Sequence, residues 1–161
     1  MQPPFSTADL YDDFGEDCAS CETQFRQYEG RRVFSGEIRT VKCVDDNVLL
    51  RRMLETRSAG EVLVVDASGF LGSALMGDRI AKLGLDNGWS GAVIFGAIRD
   101  TGVLSTLEFG VKALRSNPRK CKKHGAGSVD NVVSFGGATF VPGHWLYSDD
   151  DGILVSREAL I

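Results

Sequence analysis

Two oppositely charged neighbours, Arg99 and Asp100, are the side chains of this sequence best suited to chemistry. They come soon after the apolar run over residues 92–95, which predicts a strand buried in a sheet. Because the core of a sheet cannot hold two charges without partners, the pair must lie where the strand ends, facing solvent or a ligand. In open α/β sheets, ligands bind beyond the carboxyl ends of parallel strands. The alternative is a surface ion pair, worth less than about 1 kcal/mol.

A second candidate is the short segment formed by Gly77, Asp78, Arg79 and Ile80. If a helix begins at Gly77, the backbone N–H groups of Arg79 and Ile80 have no partner within that helix. Such a terminus carries partial positive charge and binds carboxylate or phosphate, and the glycine lets the ligand come close. A glycine tolerated inside a longer helix explains the same residues equally well, so the sequence leaves both interpretations open.

The elements that must position these residues form a predicted β-α-β unit. Residues 61–66 (EVLVVD) are an almost continuous apolar run that ends in an acid, which is typical of a strand buried on both faces. A glycine-rich connection follows, and then a helical pattern in which Met76, Ile80 and Leu83 recur on one face. The run over 92–95 supplies the second strand. The two strands are therefore predicted to be parallel neighbours joined by a right-handed crossover.

The remaining pattern favours an α/β fold with a parallel core sheet and a second, antiparallel layer, in one domain over residues 1–161. Before the β-α-β unit we expect a polar helix over 6–29 capped by Ser6 or Thr7, a strand over 33–43, and an apolar-faced helix after Asp46 or Asn47. After the unit we expect glycine-separated strands over 129–135, 138–141, 144–147 and 152–156.

Composition and charge exclude several classes of function. The 161 residues carry a formal net charge of −4, which argues against direct nucleic-acid binding through a basic face. No apolar stretch approaches the roughly 20 residues that cross a bilayer, and residues 1–5 lack the pattern of a secretion signal. We therefore expect a cytoplasmic protein with no membrane partner. The one basic cluster, over 115–124, has no interleaved aromatic residues for base stacking. It is interpreted as a solvated loop, with an electrostatic guide for a dianionic substrate or a protein partner as the alternative.

Three further motifs favour structural interpretations. Cys18 and Cys21 form a C-x-x-C that could be a redox pair or half a zinc site, but two buried thiols on a helix fit the pattern better. Residues 69–72 lack the first glycine of a dinucleotide-binding loop, and no P-loop is present. The acidic segment 148–152 resembles the opening of a calcium loop, but without its distal glutamate a hairpin turn is the better interpretation.

The spacing of the candidate residues, together with segments throughout the chain, resembles the RraA-like family. Asp78 is followed after 20 residues by Arg99 and Asp100. The other matching segments occur in the same order along nearly the whole chain: 7–10, 41–43, 64–66, 87–89, 96–100, 110–114, 135–137, 145–147 and 151–156. This family includes metal-dependent 4-hydroxy-4-methyl-2-oxoglutarate aldolases and the regulator of ribonuclease activity A.

The resemblance implies a swivelling β/β/α fold and a ring-shaped homotrimer with active sites in clefts between subunits; it leaves open whether trimers pair. It implies that Arg99 binds the keto-acid end of a substrate and faces its carbonyl oxygen. Asp100 would hold a divalent cation, usually Mg²⁺ with Mn²⁺ or Co²⁺ as alternatives, partly through waters. The segment from Gly77 to Ile80 would bind the substrate carboxylate through its backbone amides, and Asp78 would orient a water for proton transfer.

By resemblance, the expected function is a metal-dependent aldolase that cleaves 2-keto diacids of the 4-hydroxy-4-methyl-2-oxoglutarate type to pyruvate. Oxaloacetate decarboxylation is expected alongside, because both reactions pass through pyruvate enolate. The alternatives are a regulator that inhibits an endoribonuclease, with a ribonuclease or an RNA helicase as partner, and a metabolic binding protein with a degenerate site. One departure concerns the metal: family aldolases often carry an acid three positions after the metal-binding aspartate, where this chain has Val103.

Overall fold

The computed structural model describes residues 4–28 and 30–161. Its helices are α1 (Thr7–Phe14), α2 (Val48–Glu55), α3 (Asp78–Asp86) and α4 (Thr101–Leu104), with a 3₁₀ turn over Gly15–Asp17. Its strands are β1 (Cys18–Ser20), β2 (Arg26–Tyr28), β3 (Phe34–Lys42), β4 (Val62–Asp66), β5 (Ala74–Met76), β6 (Gly91–Ile98), β7 (Gly110–Ser116), β8 (Ser128–Val129), β9 (Val133–Phe135), β10 (Ala138–Phe140), β11 (Trp145–Ser148) and β12 (Ile153–Ser156).

A large mixed sheet runs in the order β1-β12-β11-β3-β4-β6-β7-β2. Its centre, β3-β4-β6-β7, is parallel, and antiparallel strands extend it on both sides. The predicted β-α-β unit is confirmed, because β4 and β6 are parallel neighbours with α3 between them in the chain. A short additional strand, β5, pairs in parallel with the end of β6.

Different layers cover the two faces of the sheet. On one face, Leu50 and Leu54 of α2 share an apolar core with Leu63 of β4 and Ile94 of β6. On the other face the small antiparallel sheet β9-β10 packs its aromatic side chains; Phe135 stacks on Phe95 of β6 with ring centroids 4.7 Å apart. All five residues of β4 are buried, as expected for a strand covered on both sides. The α/β class, the parallel core and the second antiparallel layer are therefore confirmed.

The predicted helix over 6–29 is wrong beyond Phe14. Ser6 caps α1 by accepting the N–H of Asp9 at 3.3 Å, but the helix ends at Phe14, with Gly15 as its C-cap. Residues Cys18–Ser20 instead pair with β12, far along the chain, and Arg26–Tyr28 pair with β7. Backbone pairing with these distant strands outweighs the local helix preference of the segment. The last predicted residue, Glu29, lies outside the described residues.

Other boundaries differ in smaller ways. Met76 belongs to β5 and not to the crossover helix. The strand predicted over 129–135 is two strands, separated by a turn in which Asp130 has φ 55°. Strand β7 was not predicted, because Lys112 interrupts its apolar pattern. Lys112 is nevertheless buried, and its ammonium group donates to the carbonyl of Asp149 at 2.7 Å.

The structure also decides between the alternatives for the remaining motifs. Cys18 and Cys21 are free thiols on and just after β1, so the prediction that they are buried on a helix is wrong; both are half-buried. Burial raises the pKa of both thiols, which disfavours the reactive thiolate.

Residues 148–152 form the hairpin turn between β11 and β12, with the N–H of Asp149 donating to the carbonyl of Gly152. Nowhere in the described part of the chain is there a helix with the length and apolar content needed to span a membrane.

Candidate active site

The paired ends of β5 and β6 bring the two candidate segments together. Met76 ends β5 and pairs with Ile98, which ends β6; both side chains are buried. The N–H of Arg99 then donates to the carbonyl of Met76 at 2.9 Å. Because the strands are parallel, Gly77 and Arg99 leave the sheet at the same edge and side by side.

Gly77 is the N-cap of α3, so the helix begins where the first of the two interpretations puts it. The first intrahelical hydrogen bond runs from the N–H of Ala81 to the carbonyl of Gly77 at 3.1 Å. The N–H groups of Asp78, Arg79 and Ile80 precede it, and they find no acceptor within residues 4–28 and 30–161. They are available to an anion.

Asp100 makes the sharp turn that points its carboxylate back at Gly77. Its backbone is left-handed, with φ 59° and ψ 40°, a conformation that aspartate tolerates better than most residues, and it begins the short helix α4. The carboxylate oxygen Oδ2 of Asp100 lies so close to the Cα of Gly77 that a methyl group there would overlap it. The glycine is therefore required by the packing of the site.

Arg99 and Asp100 both remain available to a ligand. The Nε of Arg99 is 3.8 Å from Oδ2 of Asp100, too long for a strong hydrogen bond, and the Nη1 of Arg99 donates to the carbonyl of Pro118 at 3.3 Å. The two side chains are 44% and 42% exposed. The guanidinium and the carboxylate each keep unused hydrogen-bonding capacity.

These residues share one cleft with a volume of about 670 Å³. It contains all six predicted site residues, and its lining is Asn47, Arg51, Ala74, Leu75, Met76, Gly77, Asp78, Arg79, Ile80, Arg99, Asp100, Lys120, Cys121 and Lys123. Five of these side chains are cationic and two are anionic, so the cleft is positive although the whole chain carries a net charge of −4. An anionic ligand fits this balance of charge.

Sequence reasoning missed three of the cationic residues that line the cleft. Lys120 and Lys123 belong to the basic cluster that was interpreted as a solvated loop, and Arg51 lies on α2. The clustering of basic residues was the signal in the sequence, but nothing local indicated which of them face the cleft. Cys121 also lines the cleft, and burial raises the pKa of its thiol, which disfavours a role as nucleophile.

The carboxylates suit a hard cation that keeps much of its water. Within the described ranges, no group of three or more histidine, cysteine or acidic side chains is arranged to hold a metal. Mg²⁺ binds proteins through only one or two carboxylates and retains several waters. The half-exposed Asp100 offers one such carboxylate, and the open cleft leaves room for the waters. Val103 lies exposed on α4, beside Asp78, and brings no third carboxylate.

Comparison with known proteins agrees with this architecture. The family model for RraA-like proteins, described as Aldolase/RraA, matches residues 7–155. A crystal structure from Geobacillus kaustophilus HTA426, named as an S-adenosylmethionine: 2-dimethylmenaquinone methyltransferase, is similar with a TM-score of 0.95 and 44% identity over 97% of each chain. The RNA-processing inhibitor RraA from Thermus thermophilis is similar with a TM-score of 0.92 and 38% identity, over 98% of this chain and 94% of that one.

A more distant structure shares the fold. RraAS2 from Streptomyces coelicolor, a member of the RNase ES inhibitor RraA family, has a TM-score of 0.77 and 24% identity, over 95% of this chain and 80% of that one. The family match, the two structures above 30% identity and the edge of the sheet where Gly77, Arg99 and Asp100 meet all lead to one conclusion. The chain belongs to the RraA-like family, which covers both aldolases and inhibitors of RNA processing.

Proposed function

We propose that this protein is a divalent-metal-dependent lyase that cleaves 2-keto diacids of the 4-hydroxy-4-methyl-2-oxoglutarate type to pyruvate and also decarboxylates oxaloacetate. The observation that carries the proposal is that a guanidinium, a carboxylate and three free backbone N–H groups converge on one positive cleft. A 2-keto acid offers complementary groups, because its carboxylate and its carbonyl oxygen are adjacent acceptors.

The chain's own groups bind and orient the substrate in this proposal. The N–H groups of Asp78, Arg79 and Ile80 hold the carboxylate next to the keto group, where the positive end of α3 favours it. Arg99 faces the carbonyl oxygen, on which negative charge develops as the carbon–carbon bond breaks. A preorganised donor of this kind contributes about 10²–10³ in rate.

The two carboxylates have different roles. Asp100 would hold the cation. Asp78 would orient a water that takes the proton of the C4 hydroxyl as the C3–C4 bond breaks and then delivers a proton to C3 of the pyruvate enolate. A bound Mg²⁺ would supply Lewis-acid stabilisation of the charge on the keto acid. Because aldol cleavage and oxaloacetate decarboxylation both produce pyruvate enolate, the same groups serve both reactions. No lysine is required to form a Schiff base.

The test is release of pyruvate from 4-hydroxy-4-methyl-2-oxoglutarate and from oxaloacetate, followed with a coupled lactate dehydrogenase assay. We expect activity with Mg²⁺, its loss in EDTA, and a fall of at least about 100-fold in Asp100→Ala and Arg99→Ala. Asp86→Ala is the matched control, because Asp86 lies at the far end of α3 in an exposed ion pair with Lys82. A purified protein that releases no pyruvate with any divalent metal, or full activity in Asp100→Ala, contradicts the proposal. So does a substrate adduct trapped by borohydride.

The charge of the cleft gives less support to methyl transfer, the activity in the name of the Geobacillus protein. The methyl donor named there is a sulfonium cation. A cleft with five cationic and two anionic side chains would repel it and attract a dicarboxylate.

The second candidate function is inhibition of RNA processing, which is favoured by the 38% identity to the Thermus RraA. In this case the protein would bind an endoribonuclease or an RNA helicase through its surface and would need no chemistry in the cleft. RNA cleavage by a purified endoribonuclease would be inhibited equally by the wild type and by Asp100→Ala. If neither protein binds the enzyme or the helicase in a pull-down or by calorimetry, this candidate fails.

A further inference from the structure

The basic loop, defined as residues 117–126, is fastened to the body of the protein beside the cleft. The N–H of Ala74, at the start of β5, donates to the carbonyl of Arg119 at 2.8 Å. The N–H of Lys122 donates to the carbonyl of Asp45 at 3.0 Å, just before α2. These attachments hold the backbone of the loop beside the cleft, while its basic side chains remain exposed, as predicted for a solvated loop.

A buried carboxylate strengthens the second attachment. Asp46 is 2% exposed and accepts the N–H groups of His124 at 2.7 Å, Gly125 at 3.0 Å and Ala126 at 3.4 Å. It also accepts the N–H of Val48 at 3.1 Å, which ties the loop to the first turn of α2. The backbone that carries Lys123 is therefore held from both sides.

The side chain of Lys123 is itself directed into the cleft. Its Nζ donates to Oδ1 of Asn47 at 3.3 Å, and both residues line the cleft. Asn47 is 7% exposed, and its Nδ2 donates to the carbonyl of Leu75 at 3.0 Å. Because its Nδ2 is used in this way, the oxygen of the amide must face the lysine. A lysine ammonium has three donors, so Lys123 can bind a ligand without releasing Asn47.

The cleft therefore offers two anion sites built from different parts of the chain. The N-terminus of α3 and Arg99 form one, which the proposed function assigns to the keto-acid end. Lys123, with Lys120 and Arg51, which also line the cleft, forms the other. A 2-keto monoacid has no group for this second site.

Building on the proposed function, we propose that Lys123 binds the carboxylate remote from the keto group and makes the protein select 2-keto diacids over 2-keto monoacids. Lys120 and Arg51 add positive charge to the same site, and Asn47 and Asp46 are positioning residues that hold Lys123 in place. Lys123 is thus a specificity-determining residue that takes no part in breaking the bond.

The experiment compares two substrates that share the reacting half. 4-Hydroxy-4-methyl-2-oxoglutarate carries the second carboxylate, and 4-hydroxy-2-oxopentanoate has a hydrogen at that position. We expect Lys123→Ala to lower kcat/KM for the diacid by about 10- to 100-fold, the loss of a charge-assisted hydrogen bond, and to leave kcat/KM for the monoacid unchanged. Lys123→Arg keeps the charge and should restore most of the selectivity.

Lys122→Ala is the matched control. This variant removes the same charge from the adjacent position. Lys122 is 65% exposed and does not line the cleft, and its Nζ is 3.6 Å from Oδ2 of Asp45. We expect it to leave the ratio of the two kcat/KM values unchanged. An equal loss with both substrates in Lys123→Ala, or an equal change of selectivity in Lys122→Ala, overturns the inference.

A binding measurement separates this inference from the proposed function. Calorimetry with 2-oxoglutarate, which has both carboxylates, and 2-oxobutanoate, which has one, needs no turnover. If the wild type releases no pyruvate, the proposed function fails, but weaker 2-oxoglutarate binding in Lys123→Ala than in Lys122→Ala still supports the inference. Equal or absent binding in the wild type and both variants overturns it.

Discussion

At the scale of single residues, the candidate site depends on the absence of a Cβ atom at Gly77. Gly77 has φ −125°, a value open to any residue, so its backbone conformation does not demand glycine. The demand comes from the carboxylate of Asp100, which occupies the space that a Cβ would need. Because position 77 is glycine, Asp100 at the end of β6 can pack directly on the backbone at the end of β5.

We predict that Gly77→Ala separates activity from stability. The added methyl group would push the half-exposed Asp100 out of position, and pyruvate release should fall by at least about 10-fold, since misplacing one group of a site is costly. Because Asp100 can swing into solvent, the free energy of unfolding should change by less than about 1 kcal/mol. The pyruvate assay and urea unfolding measure the two effects.

Gly102→Ala is the control for Gly77→Ala. Gly102 lies on α4, two residues beyond Asp100, and a Cβ there meets no atom within 4 Å. We expect normal activity and unchanged stability in this variant. Wild-type activity in Gly77→Ala would show that the position of the Asp100 carboxylate does not matter for turnover.

At the scale of elements, Asp46 joins the start of α2 to the basic loop. Burial by itself raises the pKa of Asp46, but the backbone N–H groups of Val48, His124, Ala126 and Gly125 outweigh that effect and hold its pKa below the usual value. A carboxyl group with a lowered pKa in the folded state stabilises the fold above its unfolded pKa of about 4. This stabilisation is lost as the pH falls through the folded-state pKa.

We predict that Asp46→Asn lowers the free energy of unfolding by about 1–3 kcal/mol at neutral pH. One carboxylate oxygen becomes an NH2 group, which cannot accept the backbone N–H groups that face it, and the other becomes an uncharged acceptor. The difference from the wild type should be full near pH 7. It should begin to shrink below about pH 4, where Asp46 of the unfolded chain takes up a proton, and should be lost as the pH falls through the lower pKa of the folded state. Urea unfolding at several pH values measures it. Asp86→Asn, in an exposed pair, should show little difference at any pH. A pH-independent difference for Asp46→Asn would contradict this account.

At the scale of the whole molecule, the cleft of one chain is open. Arg51, Arg79, Arg99, Asp100, Lys120 and Lys123 are all exposed in the isolated chain. Chemistry on an enolate benefits from excluding bulk water, so a neighbouring subunit would improve such a site. The trimer with clefts between subunits that the family resemblance implies would provide this cover.

We predict that light scattering gives about three times the 17.4 kDa mass of the chain and that the activity per chain falls on dilution, as the open cleft loses its neighbour. Adding an inert carrier protein to the diluted sample controls for adsorption to the vessel and should not restore the activity. A monomeric mass with full activity per chain at every dilution would contradict the prediction.

The features that the sequence determined are those that local patterns encode. The apolar runs of β4 and β6 predicted two buried strands, and a single crossover helix required them to be parallel. The charged pair after β6 had to leave the core, because an unpaired charge there is too costly. Both features depend only on residues that are neighbours in the chain, so the sequence predicts that Arg99 and Asp100 lie at the edge of the sheet.

The tertiary structure decided the features whose partners are distant in the sequence. Residues Cys18–Ser20 form a strand because β12 supplies their hydrogen bonds. Lys123 faces the cleft because Asp46 holds the basic loop in place. Asp46 accepts hydrogen bonds from the backbone of His124 and Ala126, which follow it in the sequence by 78 and 80 residues. The local sequence of a basic run does not show whether its backbone is held by another part of the chain. Only the fold brings the buried carboxylate of Asp46 next to the backbone of the basic loop.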